Sequence, residues 1–345
     1  MISDKKSVVS AKVDEQAVMT VSSSDNVANI SADDKKRTVI TVCVSLLVML
    51  LWGSLFPFVK YGYEVFQIDT SSYPDLILFA GVRFAISGAL LSIFSISTKR
   101  TFAVSQPKKL IGTALVALFA VVLHYTCTYI GLSVVDSGKT SLLKQSGVVV
   151  FVCISFLFFK DDKFSWGKIA GAVLGVASVL VVNTNALGFS FDIGSLLIIV
   201  ASFCTVISNV VFKKQLSGVP AVTVTGYSQL IGGVALMLIG LIFGGKFGVV
   251  TVKGMFVMAY MIIATVVSYG LWYTVVQRYS LSKLFIIKMA EPLFASLISI
   301  LLPLNATLTW QHAIAFLCVG AAVAVSNVDF GKNKSRKNSS SLREK

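Results

Sequence analysis

KTSLLKQSGVVVFVCISFLFFKDDKFSWGKIAGAVLGVASVLVVNT, residues 139–184, returns without a gap as KLFIIKMAEPLFASLISILLPLNATLTWQHAIAFLCVGAAVAVSNV, residues 283–328. At this constant shift of 144, Lys139 falls on Lys283, Lys144 on Lys288, Ser155 on Ser299, Trp166 on Trp310 and Asn183 on Asn327. Further back at the same shift, Tyr125 falls on Tyr269 and Tyr129 on Tyr273. At a shift near 146, Ala89-Leu90 falls on Ala235-Leu236 and Arg83 on Gln229. Apolar segments match one another by chance, but Lys, Trp, Tyr and Asn at one shift do not. The stretch between the repeats is built the same way, from long apolar blocks, so the repeat sets the organisation of the whole chain.

Each block is about the 20 residues that cross a bilayer core of roughly 30 Å as a helix. Ten can be placed, near 38–60, 75–97, 110–131, 139–159, 166–184, 193–213, 220–244, 254–277, 283–303 and 309–328. Composition agrees. Hydrophobic residues make up 55% and charged residues 13% of the 345, against about a quarter charged in soluble domains. The expected fold is therefore an all-α integral membrane protein of about ten transmembrane helices. The repeat divides them into two halves, 38–184 and 193–328. Five spans is an odd number, so the second half enters the membrane inverted, and such repeats build transporters with a solute site near the midplane. Residues 1–37 and the basic segment 329–345 read as disordered tails.

The net charge of +14 would suggest nucleic acid in a soluble protein, but here Lys and Arg sit in the short connections between apolar blocks. With both tails in the cytoplasm, the outer connections hold only Lys60, Lys139, Lys246 and Lys253, as the positive-inside rule requires. No nucleic-acid partner is expected. The bilayer of the cell membrane is the expected surrounding. Cys43, Cys127, Cys153, Cys204 and Cys318 form no CxxC or metal-ligand spacing, and His124 and His312 are far apart. Neither a metal nor a cofactor is expected. Asp136-Ser137-Gly138-Lys139-Thr140-Ser141 has the end of a phosphate loop, but Ser133 stands where its first glycine belongs and no strand precedes it.

Several stretches resemble EamA-like proteins of the drug/metabolite transporter superfamily. They are Trp52-Gly53-Ser54-Leu55-Phe56-Pro57, Arg83-Phe84, the run at 139–143, Phe158-Phe159-Lys160-Asp161-Asp162 with Trp166, and Glu291-Pro292-Leu293-Phe294-Ala295. The resemblance covers about 40–328 and departs from the family at Leu302-Pro303-Leu304-Asn305-Ala306, where an acidic turn is usual. It implies export or exchange of amino acids, metabolites or drugs. Basic residues in the equivalent helices of the superfamily's sugar-phosphate exchangers look similar to Lys144 and Lys288.

Charge inside a bilayer is costly, so each intramembrane charge is a functional candidate. Lys144 and Lys288 each lie roughly 7–8 Å below their own surface, counted at about 1.5 Å per residue. They face a shared solute, snorkel to headgroups, or form an ion pair. Arg83 binds solute or pairs with Glu291 or carbonyls. Glu291, three residues after Lys288, carries a proton or holds a structural pair. His124 lines a cavity or is satisfied by a neighbouring hydroxyl. Tyr269 and Gln229, the repeat partners of Tyr125 and Arg83, complete the candidate solute contacts. Pro57 and Pro292 deprive the carbonyls of Gly53 and Lys288 of a donor, so spans 1 and 9 should bend or open there. Gly167, Gly171 and Gly175 form a small-residue stripe for close helix contact, either within the chain or in a homodimer.

A secondary transporter of a small metabolite, such as an amino acid or organic anion, accounts best for these features. A membrane enzyme acting on lipid-linked substrates would need a nucleophile–base or His/Asp/Glu cluster that the sequence does not offer. A sensor would need an output domain.

Overall fold

The computed structural model describes residues 38–99, 106–135, 140, 143–160, 162–182, 192–302 and 310–327. The two tails, the phosphate-loop-like run from Asp136 to Lys139, Asn183, and the turn at 303–306 lie outside the described residues. The chain divides into two compact units at Val44 and Ser45. In the first, the described residues Thr38–Val44 are helical. The second holds everything that follows.

Among the described residues the chain is helical, without strands. The rods are α1 (Thr38–Phe66), α2 (Tyr73–Ser97), α3 (Pro107–Val134), α4 (Gln145–Phe158), α5 (Trp166–Val182), α6 (Ile193–Gln215), α7 (Ala221–Ile242), α8 (Val252–Arg278), α9 (Leu281–Leu301) and α10 (Trp310–Asn327). Seven of them, α1–α3 and α6–α9, are long and apolar enough to cross a membrane. In lipid every backbone polar group must be satisfied within the segment, which is why helices form there. Large apolar side chains on the outer faces, among them Ile93, Phe94, Leu238, Ile242, Phe256 and Ile263, are exposed. Such a surface suits acyl chains and would be a liability in water. The chain is thus a multi-pass membrane protein.

The helix ends follow from local chemistry. Proline opens α2 and α3 within the first turn, where its missing N–H costs nothing. Asp192 Oδ1 accepts the Ser195 N–H at 2.6 Å, and Thr251 Oγ1 accepts the Gly254 N–H at 3.0 Å, capping α6 and α8. Gly244, at φ 82°, ends α7, with Gly245 N–H bonded to Gly240 O at 2.8 Å and Gly244 N–H to Leu241 O at 3.0 Å. That left-handed turn favours glycine.

α2 and α7 form the tightest contact. A Cβ at Gly81 would stand 2.4 Å from Met237 N, one at Gly88 2.1 Å from Leu230 N, one at Gly226 2.8 Å from Ser92 N, and one at Gly233 2.2 Å from Ala85 N. The contacts run in opposite directions along the two helices and exchange equivalent residues: Gly81 and Gly88 on one side correspond to Gly226 and Gly233 on the other. One step further along, Ser95 and Thr223 share a hydroxyl hydrogen bond of 2.7 Å. This register is one residue shorter than the shift near 146 read from the sequence. It makes Ser228 rather than Gln229 the repeat equivalent of Arg83.

Two of the stripe glycines on α5 are covered within the chain. Gly171 lies against Ala322 O of α10, and Gly175 against Met289.

The two prolines behave differently. α9 is interrupted between Lys288 and Glu291. There Met289 N–H bonds to Ile286 O at 3.2 Å and Ala290 N–H to Ile287 O at 3.0 Å, a tightened turn directly before Pro292. α1, by contrast, runs through Pro57 without interruption. Of the bend or opening expected at Pro57, the opening is therefore absent. A Cβ at Gly53 would stand 2.6 Å from Glu291 O, so α1 lies directly on the interruption of α9.

Candidate functional site

The interruption in α9 places its charges inside the protein. Lys288 Nζ and Glu291 Oε2 form a buried ion pair. Lys144, in the turn residue that precedes α4, brings its Nζ to 3.7 Å from the other carboxylate oxygen. Both ammonium groups therefore point inward to one carboxylate, not outward to headgroups. Each also lies over an aromatic face, Lys144 at 4.3 Å from Phe56 and Lys288 at 4.5 Å from Trp52. On the far side of Lys144, Ser202 Oγ accepts the Gly147 N–H at 3.0 Å and donates to Lys144 O at 2.6 Å. α6 thereby satisfies backbone groups at the start of α4.

These groups border a cavity with about 50 Å³ of water-accessible space, room for roughly three or four waters. α1 supplies Trp52 and Phe56, α2 Arg83, α3 His124, Tyr125, Thr128 and Tyr129, α6 Thr205, Ser208 and Asn209, and α8 Tyr269, Trp272 and Tyr273. α3 turns with the wider π pitch over Ala117–Leu123 and regains the α pitch at His124. Such a bulge rotates the following face and is frequent beside functional sites. Here the rotated face carries the lining residues of α3.

Arg83 is 1% exposed, and its Nε and Nη1 have no hydrogen-bond partner. Its guanidinium carbon lies 4.3 Å from the Phe84 ring centre, 5.5 Å from that of Tyr125 and 5.9 Å from that of Tyr129. No carboxylate pairs with it among the described residues. Thr128 Oγ1, Tyr129 OH and Trp52 Nε1 also lack partners. Buried polar atoms are ordinarily bonded, so these groups have unused capacity for a bond. Across the middle, Tyr125 OH and Tyr269 OH lie 2.6 Å apart. These two are partners at the repeat shift of 144. Tyr269 in turn touches the Trp52 ring at 5.1 Å.

His124 both lines the cavity and is satisfied. Its Nδ1 donates to Ala201 O at 2.8 Å, since a carbonyl only accepts, and Thr205 Oγ1 lies 3.0 Å from the same nitrogen. Gln229 is not in the lining. It is buried in α7 with neither amide atom bonded, and it lies where that helix meets α2 at Gly88. The α2–α7 register turns it away from the cavity. Reasoning from charge passed over Trp272 and Asn209, which join through an Nε1–H to Oδ1 bond of 2.7 Å. Their signal was a mid-span asparagine and a tryptophan three residues after Tyr269.

A second charged cluster lies outside the cavity. Asp162 Oδ1 accepts from Lys168 Nζ, from Ser282 Oγ at 2.7 Å and from Ser280 Oγ at 2.9 Å. Burial pushes its carboxyl up, but the bonds from Lys168, Ser282 and Ser280 outweigh that and hold it below the usual carboxylate range. The α4–α5 connection is thereby fastened to the start of α9. Nearby, Gln277 Nε2 donates to Val219 O at 2.6 Å.

A multi-pass helical membrane protein enclosing a charged, aromatic cavity is the class these features define. The chain belongs to the EamA-like transporter family, whose model matches residues 39–184 and again residues 192–328. It is similar to the uncharacterized transporter YvbV of Bacillus subtilis (strain 168), with 26% identity over 58% of this chain and 62% of that protein. It is also similar to a protein of Escherichia coli (strain K12) described as a probable amino-acid metabolite efflux pump, with 26% identity over 68% of this chain and 78% of that one. The match to YvbV, and one covering 64% of an uncharacterized transporter of Archaeoglobus fulgidus, span less than two thirds of those proteins. A solved crystal structure shares the fold at a TM-score of 0.67, covering 84% of this chain and 96% of its own, with 18% identity. The family and these relatives carry the names of transporters.

Proposed function

We propose that the chain is a gradient-driven transporter of a small metabolite with an anionic group, such as an amino acid or organic anion. In this reading all ten rods cross the cell membrane as two inverted five-helix halves, both termini are cytoplasmic, and access alternates about the central cavity. One observation carries it: residues of both family matches line a single buried cavity that holds Arg83, Lys144 and Lys288, with one carboxylate, Glu291, drawn to the two lysines. The reciprocal α2–α7 contact and the Tyr125–Tyr269 bond between repeat partners support the inverted arrangement.

Mechanistically, the excess positive charge attracts the solute anion and the aromatic walls cover its apolar part. The Asp162 cluster ties the connection between α4 and α5 to the start of α9. Glu291 stabilises the lysines between cycles, and an arriving anion competes with it for them. Proton coupling through Glu291 would require it to leave this pair.

The test is flux into liposomes holding the purified chain. Uptake of organic anions or amino acids should follow an imposed ion or solute gradient and stop when that gradient is collapsed. Uptake driven by ATP with gradients collapsed, or no flux of any anionic solute, would overturn the proposal. Reporter fusions after residues 100, 163 and 345 should all report the cytoplasm.

A further inference from the structure

We infer that the transported solute carries two anionic groups, one seated at Arg83 and the other at Lys144 and Lys288, and that it is a short dicarboxylate. This rests on the proposed transport function and specifies its substrate class. Among the described residues, the cavity lining holds three cations, Arg83, Lys144 and Lys288, and one carboxylate, Glu291. Glu291 is committed to the lysines, through the ion pair to Lys288 and the 3.7 Å approach to Lys144. Two positive charges are therefore left over in a space removed from water, where uncompensated charge is strongly disfavoured.

The two excess charges sit at different poles. Arg83 lies among Phe84, Tyr125 and Tyr129, and the lysines lie over Phe56 and Trp52. Between the poles the hydroxyls of Tyr125 and Tyr269 meet at 2.6 Å, and Tyr269 leads on to Trp52. A single carboxylate compensates one pole and leaves the other bare. Two carboxylates on a short chain compensate both.

The donors suit that division. The Arg83 guanidinium, whose Nε and Nη1 have no partner, is a planar donor that takes a carboxylate through two parallel bonds, from Nε with Nη2 or from Nη1 with Nη2, whereas lysines act as point charges that bind an anion by attraction. The modest cavity volume favours a solute of a few carbons. The unbonded Thr128 and Tyr129 hydroxyls are further donors in the same lining.

The experiment is binding to the purified full chain in detergent, read by titration calorimetry, with succinate and butyrate as probes. They share the same four-carbon chain and differ in one carboxylate. Succinate should bind wild type about tenfold or more tighter than butyrate. In Arg83→Gln the preference should vanish, with succinate falling to the affinity of butyrate and butyrate changing little. Arg83→Lys should keep part of the preference, since the charge stays and the fork is lost. Equal affinity of wild type for the two probes overturns the inference without any variant. So does an Arg83→Gln variant that weakens both probes by the same factor, which is the signature of a structural arginine. If liposome flux occurs for monoanions with no succinate preference, this inference fails and the transport function stands. If no anion is carried at all, the transport function itself fails.

Discussion

Glu291→Gln removes the carboxylate that, among the described residues, the cavity lining holds, while keeping its shape, and the structure sets the size of the effect. At 3.7 Å from Lys144, the attraction is about 4 kcal/mol with an effective dielectric near 20. Lys288 lies closer and hydrogen-bonds directly, so its share is larger. Desolvation offsets much of this, and breaking a buried pair by removing one partner costs about 3–5 kcal/mol net. The variant should therefore unfold well below wild type in a thermal scan of detergent-purified protein. Removing one of the excess cations should help, so adding Lys288→Met to Glu291→Gln should recover part of the loss. The coupling between the two sites is expected to be about 1–3 kcal/mol. Anions should also act more strongly on the variant than on wild type, because the internal competitor for the lysines is gone. A ligand at about a hundred times its Kd adds about 2.7 kcal/mol, enough to restore most of the lost stability. A Glu291→Gln protein as stable as wild type would refute the reasoning. So would a loss that neither Lys288→Met nor added anion reduces.

Two further outcomes are expected. Gly88→Ala and Gly233→Ala should each cost about 1–3 kcal/mol in thermal stability, because the new Cβ would meet backbone atoms at 2.1 and 2.2 Å that cannot rotate away. Gly270→Ala, with nothing within 4 Å of the added carbon, should be neutral or stabilising, and equal losses at all three positions would contradict the close α2–α7 contact. Asp162→Asn should destabilise by about 3 kcal/mol at pH 7 by leaving Lys168 buried without its partner. Since Asp162 titrates below its unfolded value, its contribution is complete above about pH 3.9 and is lost as pH falls through the folded value. The gap between wild type and variant should therefore close in acid, and a gap that persists unchanged there would argue against the ion pair.

Hydropathy alone was enough to read a helical membrane protein, because a bilayer leaves the backbone few options and long apolar blocks state the outcome directly. The family was legible from short motifs in order, from Trp52-Gly53-Ser54 to Glu291-Pro292, and the repeat from lysine, tryptophan and tyrosine at one shift. Scarcity of intramembrane charge singled out Arg83, Lys144, Lys288 and Glu291, all of which line one cavity. What each does there was beyond the sequence, since partnership depends on direction. The ion pair of Lys288 with Glu291, the approach of Lys144 to the same carboxylate and, among the described residues, the lack of an acid paired with Arg83 follow from how helices rotate against one another. Sequence shift misplaced Gln229 by one residue because apolar helices align almost as well in neighbouring registers. Backbone contact at Gly81, Gly88, Gly226 and Gly233 decides the register, since those positions tolerate no added carbon. Proline at 57 and at 292 looked equivalent as text, yet only α9 is interrupted, by a tightened turn. A proline removes one hydrogen bond wherever it stands, and only the surrounding tertiary contacts determine whether the helix around it parts.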